Sequence, residues 1–115
     1  MMPANRLPDY VRQMIQGASD ALTFTEGMVE EDFMHDLRTQ RAVVMSLMIV
    51  GEAAGRIIAE YPAFAEASPE IAWRGIRGMR NRIAHGYFDI DLHVVWQTVE
   101  SELPPLIRRL TAASL

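Results

Sequence analysis

The stretch from Leu37 to about Glu60 constrains the fold most. It contains Ala42, Val43, Val44, Met45, Leu47, Met48, Ile49, Val50, Ala53, Ala54, Ile57 and Ile58. On a helix these cover most of the circumference, and such a helix is buried on several sides. β-branched residues are frequent over 42–50, so a strand competes there. The length and the Ala- and Met-rich continuation favour a helix. It would be the central helix, about 36 Å long if continuous. Its polar exceptions are Arg38, Arg41, Glu52 and Arg56. Glu52 lies where an apolar residue would fit, so it needs a partner. An internal ion pair with an arginine is expected ahead of a catalytic role.

The flanking sequence supplies further helices. Residues 1–6 read as a loose terminus. Pro8 and Asp9 suit a first helical turn. Val11, Met14, Ile15, Ala18 and Leu22 continue a stripe to about residue 24, and Thr25-Glu26-Gly27 breaks it. Glu30 to Asp32 begin a second helical region, with a short first piece before Asp36. Tyr61-Pro62 ends the central helix. Ser68-Pro69-Glu70 reads as the start of the next, with Ser68 as its cap and the helix running over 71–85. Tyr87 to Ile90 read as a turn, and Asp91 caps a last helix with the stripe Leu92, Val95, Val99, Leu103, Leu106 and Leu110. Pro104-Pro105 lies inside that stripe and should kink or restart the helix. The expectation is an all-α, up-and-down bundle of four to five helices in a single domain over 1–115.

Composition narrows the function classes. A 115-residue chain buries about 65% of its unfolded surface. Half the residues are apolar, more than a monomer of this size needs, so a dimer interface is expected. The net charge of −4 argues against a generic nucleic-acid coat, and any polyanion must be bound locally. All eleven basic residues are arginine, which excludes lysine Schiff-base and P-loop chemistry. With no cysteine there is no disulfide, thiolate nucleophile or cysteine zinc site. The N-terminus lacks a signal-peptide pattern, and the apolar run Ala42–Val50 is too short to span a bilayer. A cytosolic protein is expected.

The helix over 71–85 is the chemically loaded one. At about 100° per residue, Ala72, Ile76, Met79 and Ile83 fall on one side as a core stripe. The other side carries Arg74, Arg77, Arg80, Asn81 and His85, with Trp73 at one margin. Arg77, Asn81 and His85 are spaced by single turns and can meet. Arg80 and His85, five apart, flank the polar face about 140° around the axis. Ala84 between them allows another surface to come close. Gly86 reads as the residue past the helix end, which puts His85 in the last turn, where the helix dipole favours positive charge.

A solvated surface would account for many arginine-rich faces. This face bears no acidic residue, so its arginines are unpaired within the helix, and it adds a histidine and a tyrosine. Arginine offers a planar fork of donors suited to phosphate, and histidine moves protons near neutral pH. The combination suggests phosphoryl chemistry on a polyanion. Other clusters are weaker. His85, Asp89, Asp91 and His93 can be written as a metal set, but Asp91 reads as a cap and no two histidines have i, i+4 spacing. No metal and no cofactor is expected. His35-Asp36 reads as a surface pair, and the eight methionines as core fillers.

Arg80-Asn81-Arg82-Ile83-Ala84-His85-Gly86-Tyr87 spells R-x4-H-x-Y and continues as Phe88-Asp89-Ile90-Asp91-Leu92. With Arg38-Thr39-Gln40-Arg41-Ala42-Val43 and Ile49-Val50-Gly51-Glu52-Ala53-Ala54 upstream, the chain resembles HepT-type HEPN-domain toxins from about residue 8 to 110. The resemblance implies a helical bundle that dimerises through its motif helices. It implies a metal-independent ribonuclease, the toxin of a toxin–antitoxin pair. The partner would be an MntA-like nucleotidyltransferase that attaches AMP to the motif tyrosine. By position, Arg80 and His85 become catalytic, Asn81 a supporting polar residue and Tyr87 the modification site. On their chemistry Arg74, Arg77 and Arg82 are candidates for holding RNA phosphate. The alternative is a non-catalytic helical module that docks on a nucleotidyltransferase and holds nucleotide or RNA on its arginine face.

Overall fold

The computed structural model describes residues 5–114. Residues 1–4, the greater part of the expected loose terminus, lie outside that range. Seven α-helices follow one another: α1 (Leu7–Phe24), α2 (Glu30–Met34), α3 (Leu37–Glu60), α4 (Pro62–Ala67), α5 (Trp73–His85), α6 (Leu92–Gln97) and α7 (Leu103–Ala113). A 3-10 turn over Tyr87–Asp89 joins α5 to α6, and a π turn over Thr98–Glu102 joins α6 to α7. There is no strand among the described residues, and 42–50 is the interior of α3. The fold is an all-α bundle of the HEPN type.

Helix α3 is the axis, as its sequence requires. Val43, Val44, Leu47, Val50, Ala54 and Ile57 are buried along it. By length and composition it could cross a membrane, yet half of its most apolar stretch is buried inside the bundle. The α1 side of the core is Tyr10, Val11, Met14, Ala18 and Ala21. At Gly17 the two helices nearly touch: an added Cβ would lie 2.9 Å from Val50 Cγ2 and 3.1 Å from the Ser46 carbonyl oxygen. Val95 and Val99, with Leu103, Leu106 and Leu110, close the core from the C-terminal side. Phe33 and Trp96 stack beneath α2 with ring centroids 5.5 Å apart.

Two helix starts are capped by aspartates, Asp91 as expected and Asp36, read from the sequence only as a surface residue at a helix start. Asp36 caps α3, accepting from the Thr39 backbone N–H at 3.0 Å and from its hydroxyl at 2.8 Å. These bonds favour the carboxylate and hold its pKa below the usual 3.8. Asp91 caps α6 by accepting from the N–H groups of His93 and Val94. His35 does not pair with Asp36. Its ring Nδ1 is 2.9 Å from the Glu31 carbonyl oxygen.

Ser68 does not cap α5. Pro62 both ends α3 and opens α4, because proline fits a first helical turn, and Ser68 is the buried residue that closes α4. The Ser68 carbonyl oxygen accepts from the Ile71 N–H at 3.1 Å and from the Trp73 indole N–H at 3.1 Å. The indole therefore fixes a tight turn over 68–72 and delays α5 to Trp73. Trp73 itself is buried rather than marginal.

At the other end, Pro104 and Pro105 restart the helix. Pro104 falls in the first turn of α7, where a missing N–H costs little. The π turn before it absorbs the mismatch within one helical path.

Helix α5 is the least embedded of the long helices. Only Trp73 and Ile83 are buried along it, while Ile76 and Met79 are half-buried. A cavity of about 210 Å³ lies behind it, lined by Leu47, Val50, Ile76, Met79, Leu103 and Leu106 among others.

Candidate active site

The site begins where α3 crosses α5. Gly51 of α3 lies directly against Arg80 of α5: an added Cβ would sit 2.3 Å from Arg80 Cβ and 2.8 Å from its Cγ. Only a residue without a side chain permits this approach. The crossing fixes Arg80 beside the next residue of α3, Glu52. The Glu52 carboxylate accepts from Arg80 Nε and pairs with Nη2. Arg80 Nη1 donates to Asn81 Oδ1 at 3.1 Å. The Arg80 side chain is 31% exposed and that of Glu52 50%. Glu52 has the expected arginine partner, but the pair is not internal: Glu52 lies on the outward, exposed face of α3 rather than among its buried positions. One fork of the guanidinium is held by Glu52 and Asn81 orients the remainder, leaving N–H groups open for an incoming oxyanion.

Arg74, Arg77, Asn81 and Arg82 are exposed along the same helix. Among the described residues, Arg74, Arg77 and Arg82 take part in no ion pair. Asn81 is turned to Arg80 rather than to His85. His85 is exposed in the last turn of α5, and its ring makes no hydrogen bond to any described residue. Gly86 follows as the helix cap, its N–H bonded to the Arg82 carbonyl oxygen at 2.9 Å. No hydrogen bond joins Arg80 to His85, and along one helix they stand about 7.5 Å apart in rise and 140° apart in direction.

Tyr87 opens the 3-10 turn and is 45% exposed. Its ring meets Phe88 edge to face, with centroids 5.9 Å apart and planes at 83°. Phe88 is 98% exposed, an aromatic face beside a cationic helix of the kind on which unpaired bases stack. Two members of the possible metal set are engaged elsewhere: Asp91 caps α6, and His93 Nδ1 pairs with Glu30 of α2.

Beyond the expected residues, the fold brings Arg56 into the site. Arg56, Arg77, Arg80, Asn81 and Glu52 ring a basin of about 200 Å³ floored by Gly51 and Gly55. The outward face of α3 joins the same region. At 100° per residue Arg41, Met45, Ile49, Glu52 and Arg56 fall within about 80° of one another. Met45 and Ile49 are 61% and 42% exposed, an apolar patch next to the Glu52–Arg80 pair. The signal for Glu52 was present in its apolar stripe. Its choice of arginine depends on the Gly51 crossing, which no spacing rule specifies.

The match to known proteins covers the site and most of the bundle. A family model described as "Ribonuclease HepT-like" matches residues 14–113. The Thermococcus cleftensis protein named "Probable ribonuclease HepT" is 37% identical over 98 residues, covering 85% of this chain and 86% of that one. The Methanocaldococcus jannaschii protein named "Putative RNase MJ0127" is 28% identical over 109 residues, covering 95% of this chain and 88% of that one. No solved structure matches the chain at a significant level. With a family model spanning nearly all of α1 to α7, and the R-x4-H-x-Y residues set on α5 and its exit turn, the chain belongs to the HepT-like ribonuclease family.

Proposed function

We propose that this chain is a metal-independent endoribonuclease, working in the cytoplasm as the homodimeric toxin of a toxin–antitoxin pair. The observation that carries the reading is the state of α5: its motif arginine is oriented by Glu52 and Asn81, and its motif histidine is open to solvent on the same helix. In the reaction the 2′-hydroxyl of RNA attacks the adjacent phosphorus. A 2′-O–P bond forms, the P–O5′ bond breaks, and the products are a 2′,3′-cyclic phosphate and a free 5′-hydroxyl. His85 takes the 2′-hydroxyl proton or supplies one to the leaving 5′-oxygen, a role worth about 10²–10⁴-fold. Arg80 stabilises the charge that builds on the phosphorane oxygens. Arg74, Arg77 and Arg82 hold the backbone on either side.

The same geometry supports the dimer. Arg80 and His85 diverge on one helix, and a second α5 packed against the first supplies the missing group across a shared cleft. The exposed Met45 and Ile49 beside the site suit the apolar part of that interface. Tyr87 is the site of control. A nucleotidyltransferase partner joins the α-phosphorus of ATP to the Tyr87 oxygen, releasing pyrophosphate and the phenolic proton. The attached AMP adds bulk and negative charge where RNA phosphate must sit. The half-exposed ring of Tyr87 supports this assignment.

The test is expression of the wild-type chain and of His85→Ala in cells, with growth and total RNA followed in both. Growth arrest and fragmented RNA with the wild type alone are expected. RNA equally fragmented by a pure His85→Ala protein removes His85 from the mechanism. Intact RNA with both favours the non-catalytic docking module. Tyr87→Phe keeps cleavage but escapes silencing by the partner.

A further inference from the structure

The basin between α3 and α5 shares Arg80 with the residues that perform the chemistry and extends from it toward Arg77 and Arg56, away from His85. At Gly51 the helices are in contact, but an added Cβ on Gly55, one turn further along α3, meets nothing within 4 Å. The space beside Gly55, on the Arg77 side of the Arg80 crossing, is therefore open. Three guanidinium groups ring it, from Arg56, Arg77 and Arg80, with Glu52 as the single carboxylate. Glu52 is already engaged by Arg80. Arg56 has only an exposed contact with Glu60 at 3.7 Å, a kind of pair that holds little. Glu60 in turn accepts from the Tyr10 hydroxyl at 3.1 Å. Arg77 has no ion-pair partner among the described residues. The basin is thus net positive and accessible, and its arginines come from two helices.

We propose that this basin is a second phosphate subsite, in which Arg56 and Arg77 hold a backbone phosphate of single-stranded RNA other than the one being cleaved. The inference rests on the ribonuclease reading. Arg77 precedes His85 by eight residues, about 12 Å along the axis, too far for one phosphate to touch both. A strand lying in the proposed dimer cleft would place its scissile phosphate by Arg80, facing a histidine of the second copy, and a neighbouring phosphate here. The glycine floor lets the backbone settle between the helices, and planar guanidinium forks match the phosphate oxygens. Arg56 lies outside the R-x4-H-x-Y motif and reaches the strand from α3.

The experiment uses the full chain carrying His85→Ala, so that RNA is bound without being cut. A fluorescent single-stranded oligoribonucleotide is titrated at several salt concentrations. Adding Arg56→Gln is expected to weaken binding about 3- to 10-fold and to lower the salt slope by about 0.7, the value for one phosphate contact on a single strand. Arg56→Lys recovers part of the affinity, since charge remains without the fork. Arg108→Gln on α7 removes the same charge outside the basin and should change affinity less than about twofold. In the cleaving protein Arg56→Gln raises KM and leaves kcat within about twofold. An Arg56→Gln effect no larger than that of Arg108→Gln overturns the subsite while leaving the ribonuclease reading intact. Failure of the His85→Ala protein to bind RNA at low salt removes both. Dependence on Arg56 with AMP as ligand but not with the oligonucleotide assigns the basin to free nucleotide and overturns the RNA assignment.

Discussion

Gly51 and Arg80 meet at the crossing of α3 and α5 so closely that a methyl group on Gly51 would stand 2.3 Å from Arg80 Cβ. The position of the motif arginine is therefore set by an absence of side chain on another helix. Gly51→Ala forces α5 outward, because the obstructing atom is the stem of a helical side chain rather than its flexible end. The expected cost is about 1–3 kcal/mol, the usual range for overpacking, together with loss of cleavage as Arg80 leaves Glu52. Chemical denaturation and an RNA cleavage assay on the same preparation check both. An alanine variant with unchanged midpoint and unchanged rate removes the crossing as the determinant of the site.

Glu52 should govern turnover more than stability. Its contact with Arg80 is half exposed, and exposed pairs contribute about 0–1 kcal/mol. Glu52→Ala therefore leaves the melting temperature nearly unchanged. It frees the guanidinium to wander, and misplacement of a catalytic group costs about 10- to 100-fold in kcat. KM stays level or falls, since the variant removes the only carboxylate from the basin. Glu52→Gln, which keeps an acceptor for Nε–H, recovers part of kcat. Steady-state kinetics on one oligoribonucleotide separates these outcomes, and equal kcat for Glu52→Ala and wild type would sink the positioning role.

Arg80 and His85 point apart on α5, which makes the proposed dimer testable by mixing. Arg80→Ala and His85→Ala are each expected to be inactive as pure proteins. Co-refolded together, they form some dimers with one intact arginine and one intact histidine on opposite protomers. Activity returning in the mixture shows that a cleft draws the two groups from different copies. A mixture as inactive as its parts would mean that both come from one chain.

Asp36 gives the bundle a defined acid dependence. Its two bonds from Thr39 lower its pKa when folded, so the folded state favours the carboxylate. That stabilisation is fully present above the ordinary value of 3.8 and is lost as pH falls through the lower, folded value. Asp36→Ala should lower the melting temperature by a constant amount between about pH 5 and 7. The difference from wild type should shrink as the solution is taken below 3.8. A gap that persists unchanged at pH 2 would show that the charge contributes nothing.

The fold was largely legible because its determinants are local. The apolar circumference of Leu37–Glu60, the cap Asp91, and the leucine stripe of the C-terminal helix each specify their own element. The start of α5 was not, because Ser68-Pro69-Glu70 satisfies a capping rule while the Trp73 indole claims the Ser68 carbonyl oxygen from five residues away. Of the site, the α5 face and the exposed position of His85 follow from helical spacing. The Glu52–Arg80 pair and the contribution of Arg56 do not. They arise from where two helices touch and where the space beside the contact is open, which depends on glycines 51 and 55 acting between elements.

Trp73 and Ile83 are the only fully buried residues of α5, with Ile76 and Met79 packed partly exposed against the core, and that light anchoring separates two kinds of selection. Substitutions that ruin the bundle fall mainly on α1, α3 and the C-terminal helices. Substitutions on the outer face of α5 redraw the reactive surface while the scaffold keeps its melting behaviour. A lineage carrying this fold can therefore lose, blunt or redirect its cutting activity one residue at a time and still make a soluble, foldable chain.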